Sequence, residues 1–99
     1  MAGRALFVGL MLLASVTPGA HAATLELPPA GASSCGGCHA PPGVDTAVPT
    51  LHGKTAADIV AQMQSLRSGA QPSTVMDRIA KGFTDPEIDA IAAWYARQK

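Results

Sequence analysis

The 99-residue chain is poor in aromatic rings, with two Phe, one Trp and one Tyr making up 4% of it, and only 14% of its residues carry charge. Seven basic residues balance seven acidic ones, so there is no basic stripe of the kind that binds nucleic acid. Cysteine occurs twice, at positions 35 and 38, which leaves none to bridge distant segments. No strand-like alternation of any length and no internal repeat is present, which excludes β and solenoid architectures. The longest apolar run, Ala5 to Val16, is about a dozen residues, too short to cross a bilayer unaided.

That run has another use. Arg4, the apolar stretch, the helix-breaking Pro18-Gly19 and the small-x-small site Ala20-His21-Ala22 together read as a secretory signal peptide over residues 1–22. The expected mature chain is 23–99, delivered to a periplasm and with no membrane span after cleavage. It keeps seven acidic against six basic residues and 17 side chains of Val, Ile, Leu, Met, Phe, Trp or Tyr. A domain of this size usually needs a staple, because so small a core barely offsets chain entropy.

The chemistry lies in Cys35-Gly36-Gly37-Cys38-His39. Two thiols three residues apart, followed at once by an imidazole, form the attachment signature of a c-type haem. Within a helical turn, positions i, i+3 and i+4 share a face, so both sulfurs and the ring can address one flat object. Cys35 and Cys38 are expected to hold one haem c through thioethers, and His39 to bind its iron. A thioredoxin-like dithiol needs alternating strands and helices around it, and these are missing. A zinc site needs four ligands, so it would have to take every cysteine and histidine of the expected mature chain, Cys35, Cys38, His39 and His52. A bare disulfide at this spacing would close too small a loop to stabilise much.

The remaining pattern is helical. A short helix is expected to start near Pro29 and run into the motif, followed by a loop over residues 40–54 with three prolines. In that loop Pro49 can offer its carbonyl to the far nitrogen of His39, and Leu51 can pack on the haem edge. Thr55 and Asp58 suggest a capping box for a helix to Ser68, stopped by Gly69, with Ile59, Val60, Met63 and Leu66 on its inner face. Ser73 or Thr74 should cap a shorter helix to Lys81, turning Val75, Met76, Ile79 and Ala80 inward. Thr84-Asp85-Pro86-Glu87 opens the last helix, which buries Ile88, Ile91, Ala92 and Tyr95 and carries Trp94 on its flank. The fold class is all-α, three to four short helices around one covalently bound haem.

Iron opposite His39 can take a thioether, which favours the reduced state. Met76, near a helix start after the Gly69 to Thr74 break, is the best-placed donor. Met63 sits mid-helix where methionines fill gaps, His52 is a loop residue, and an open iron site is a further alternative.

The haem motif, the Pro49-x-Leu51-His52-Gly53 loop, a late methionine and a terminal aromatic helix resemble a small class I cytochrome c. The run Ser73 to Phe83 is similar to the distal-methionine stretch in the monohaem cytochrome subunit of flavocytochrome c sulfide dehydrogenase. That resemblance implies one-electron transfer, with His39 and Met76 as axial ligands, Cys35 and Cys38 holding the ring, and an exported FAD flavoprotein as partner. FAD would belong to the partner, and the chain would be no enzyme by itself. A freely diffusing carrier serving an oxidase or another dehydrogenase, such as a sulfite-oxidising one, is the alternative, ahead of a haem enzyme with open iron.

Overall fold

Threonines open the two longer helices. The computed structural model describes residues 26–99, with Gly19 alone before them, and the expected leader over residues 1–22 otherwise lies outside the described residues. Thr55 is extended and its hydroxyl accepts the Asp58 amide at 3.1 Å, starting α2 (Ala56–Ser68). Thr84 does the same for α4 (Asp85–Ala96), where the Glu87 carboxylate also accepts the Thr84 amide at 2.8 Å and closes a full capping box. At Thr55 only the first half forms. Asp58 is one methylene shorter than the glutamate this reciprocal bond favours. Gly69 ends α2 in the left-handed region at φ 83°, as a C-terminal stop requires.

The other two helices are short. α1 (Ala32–Gly36) begins later than Pro29, whose carbonyl instead accepts the Ala32 amide in the preceding turn. α3 (Met76–Lys81) has Val75 at its N-cap, which offers no side-chain bond. Ser73, expected as a cap, acts from outside the helix, its hydroxyl accepting the Asp77 amide at 2.8 Å. No strand occurs among the described residues, and no helix there is long and apolar enough to cross a membrane.

The central element is α2, packed on both α3 and α4. Its inner face meets a core of Ala32, Ile59, Ile91, Ala92 and Tyr95, with Val60, Met63, Phe83 and Trp94 packed around it. Arg67, in the last turn of α2, fastens the α3–α4 junction by giving one guanidinium nitrogen to Asp85 Oδ1 at 2.6 Å and another to the Phe83 carbonyl at 2.7 Å.

The approach of α1 to this core depends on a glycine. Gly31 has φ 87°, and a Cβ there would lie 2.5 Å from the Phe83 ring and 3.3 Å from Ile91 Cδ1. Any other residue would be both strained and overpacked. The short, proline-broken segment before Cys35 thus reaches the core by backbone contact at Gly31 and by Ala32, while Glu26 accepts a hydrogen bond at 2.6 Å from Arg97 at the end of α4. The dry core remains small. Among the described residues, three of the eight that are buried are alanines, and Ile88 is the only large side chain fully enclosed.

Candidate functional site

The site begins where α1 ends. The Cys38 and His39 amides both reach back to the Cys35 carbonyl, at 3.2 and 2.9 Å, so helical winding continues past Gly36 and carries both sulfurs and the imidazole round one turn. Cys35 is half-buried, Cys38 is exposed, and the two sulfurs are not joined. Burial pushes the Cys35 thiol up, opposed in part by a backbone hydrogen bond. A redox-active dithiol has the opposite requirement, a thiol lowered toward the thiolate. Among the described residues, no three of His, Cys, Asp and Glu come together as a metal-holding group.

The imidazole of His39 is held by the loop. Its Nδ1 lies 2.6 Å from the Pro49 carbonyl. A carbonyl can only accept, so Nδ1 carries the hydrogen and Nε2 is left as the free basic nitrogen. This is the outer bond that orients a metal-binding histidine and raises its basicity.

A cavity of about 440 Å³ opens beside this turn, walled by Cys35, Cys38, His39 and Met76 together with Leu51 and Met63. A second recess of about 190 Å³ shares the first four of these. The larger volume is within the ~300–1,000 Å³ usual for cofactor pockets, and its walls are mainly apolar, with polar groups from residues 62, 71, 73 and 74. An apolar slot edged by two thiols, with an imidazole and a thioether in its walls, fits a flat, largely apolar porphyrin. The donor set suits iron: imidazole and thioether are among the axial ligands that haem proteins use.

The structure therefore brings Cys35, Cys38, His39, Met76, Pro49 and Leu51 to one place. Of the alternative donors, Met63 shares the cavity. His52 is turned away: its Nδ1 is 3.3 Å from the Lys99 carbonyl and its ring lies 5.8 Å from that of Tyr95. Val75 and Ile79, expected to point into the core, are 53% and 41% exposed and line the cavity instead. Helical spacing had marked their face as apolar without saying what it faces.

Two supporting residues had no sequence reading as such. Gly31 follows Pro28-Pro29-Ala30, and a glycine between a proline break and a haem motif was the available signal. Tyr95 has the spacing of a core residue and is buried, and its hydroxyl also donates to the Ala32 carbonyl at 2.6 Å, under α1. Burial and the neighbouring Cys35 hold that phenol above its ordinary range, with the Gly36 amide pulling the other way.

The sequence matches no family model. Over 63 residues, 63% of the chain, it is 40% identical to the cytochrome subunit of sulfide dehydrogenase from Chlorobaculum tepidum. It is also 34% identical over 67 residues to a thiosulfate dehydrogenase electron acceptor from Stutzerimonas stutzeri, and 36% over 73 residues to another from Thiomonas intermedia. The aligned stretch spans 57% of the first relative and 31% and 34% of the other two. With its haem-attachment motif, its helical order and these likenesses, the chain resembles a c-type cytochrome and is similar to the cytochrome subunit of sulfide dehydrogenase.

Proposed function

We propose that this chain is a monohaem cytochrome c that carries single electrons for an exported sulfur-compound dehydrogenase. The observation that carries the reading is the meeting of Cys35, Cys38, His39 and Met76 on one apolar cavity, with His39 already set by Pro49. Cys35 and Cys38 hold the porphyrin through thioethers, while His39 Nε2 and the Met76 sulfur bind its iron. Bound there, the haem supplies a reversible one-electron couple. The chain's own residues do the rest: Leu51, Val75 and Ile79 cover apolar surface, and the Pro49 carbonyl keeps the imidazole in one tautomer. The chain acts as an electron carrier and is no enzyme by itself, a reading supported by relatives named as a cytochrome subunit and an electron acceptor.

The donor is an exported FAD flavoprotein that oxidises sulfide, with the cytochrome as its electron-accepting subunit in the periplasm. The sulfide dehydrogenase relative and the Ser73 to Phe83 run favour this. A second reading, a carrier that accepts electrons from a thiosulfate-oxidising dehydrogenase, is favoured by the other two relatives.

A pull-down from native extract tests both, with flavin and haem spectra taken on the eluate. Flavin eluting with haem, and sulfide reducing the complex, supports the first. Haem without flavin, reduced only when a thiosulfate-oxidising fraction is added, supports the second. Colourless, well-folded protein from a host able to mature such cytochromes refutes both.

A further inference from the structure

His39 is fixed by two separate pieces of chain. Its backbone belongs to the turn after α1, through the 2.9 Å bond to the Cys35 carbonyl, and its ring belongs to the loop, through Pro49. Between them, residues 41–47 are all exposed and include no helix. That connection cannot set the distance between Cys35 and Pro49. What sets it must touch both pieces, and the end of α4 does so.

Tyr95 is buried, and its hydroxyl donates to the Ala32 carbonyl on α1 at 2.6 Å, 63 positions away in sequence, with the Gly36 backbone against the same oxygen. Its ring meets the His52 ring of the loop at 5.8 Å and 51°. The residues just beyond complete the hold, since the Gly53 amide donates to the Gln98 carbonyl at 3.0 Å and His52 Nδ1 faces the Lys99 carbonyl. A buried phenol must place its hydrogen bond somewhere. Placed on α1 while the ring props the loop, this one joins the two halves of the histidine mount.

We infer that Tyr95 is a positioning residue for His39: through its hydroxyl on Ala32 and its ring on His52, it sets the length of the His39 to Pro49 hydrogen bond. This rests on the haem reading proposed above. When the hydroxyl is lost, α1 is released from α4 and that bond lengthens. The imidazole then becomes a weaker donor to iron, the oxidised state loses support and the reduction potential rises.

The test compares Tyr95→Phe with Thr84→Ala in haem-loaded protein. Thr84 caps the far end of α4 and touches neither piece of the mount, so Thr84→Ala should lower the urea midpoint and leave the potential unchanged. Tyr95→Phe should raise the potential and displace the paramagnetically shifted ring resonances of His39. If both stay at the wild-type values in Tyr95→Phe, whatever happens to its stability, the residue is only core and the inference is overturned. Should that variant fail to accumulate, His52→Leu decides, with a smaller rise expected and no change overturning the inference. Wild-type protein without haem, found before any variant is made, overturns this inference together with the reading beneath it.

Discussion

His39 and Met76 line the same cavity, but the protein holds them in different ways. On the histidine side, Ala32 has no exposed surface, Gly31 lets backbone touch ring, Tyr95 bonds to α1, and Pro49 holds the imidazole. On the methionine side, α3 has six residues, no side-chain bond from its N-cap, and neighbours Val75 and Ile79 about half exposed; residues 69–75 before it are all exposed. One side is braced by protein. The other leaves an apolar face open on the cavity. A chain with so few large side chains cannot enclose both sides by itself, and it completes the side that carries His39.

The largest change should come from removing the attachment, which tests whether the methionine side depends on haem at all. Cys35→Ala combined with Cys38→Ala should take the haem-to-protein ratio from about one to near zero. Amide exchange by mass spectrometry should then show α3 unprotected, with residual protection confined to α2 and α4; equal protection of all helices would break the comparison.

Gly31→Ala strikes the braced side. The left-handed φ and the 2.5 Å approach to Phe83 should together cost about 2–4 kcal/mol, read from urea unfolding. Met76→Ala strikes the open side and should cost less, about 1–2 kcal/mol, because a half-buried side chain gives up less burial. It should retain the haem and lose the weak thioether-to-iron charge-transfer band of the oxidised protein. If the band survives, Met63 is the donor, being the other methionine on the cavity. Thr84→Ala removes one hydrogen bond of the α4 capping box and should cost about 1 kcal/mol by the same measurement.

The smallest effect is electrostatic. The Gln64 amide and then the Arg67 guanidinium hold the Asp85 carboxyl below its ordinary range. The folded value is therefore lower than the unfolded one, and the stabilisation is full above the ordinary carboxylate value of about 3.9 and is lost as pH falls through the folded value. Because Asp85 is exposed, the step in melting temperature should be small and should shrink in high salt. An Asp85→Asn variant should lack this step, which separates its contribution from general acid unfolding.

Much of this was legible in the sequence because it is local. Cys35, Cys38 and His39 fall within one turn, Thr84 and Glu87 form a box three residues apart, and Gly69 ends a helix with its own backbone. Even the bond from Pro49 to His39 follows from the need of a metal-binding imidazole for a fixed acceptor. Spacing failed where the partner is remote or absent. Val75 and Ile79 have the periodicity of core residues, yet they line the cavity and stay partly exposed. At Thr55 the pattern of a box is present but only half of it forms, since Asp58 has the right position and a side chain one methylene too short.

The sequence by itself determined the helical class and placed two thiols and an imidazole within one turn, because residue type and spacing over one or two turns decide these. Only the tertiary structure decided which distant groups share the cavity, that His52 is turned away from it, and that Gly31 and Tyr95 join α1 to α4. Those outcomes depend on contacts between residues up to 63 positions apart, and no local pattern records such a distance.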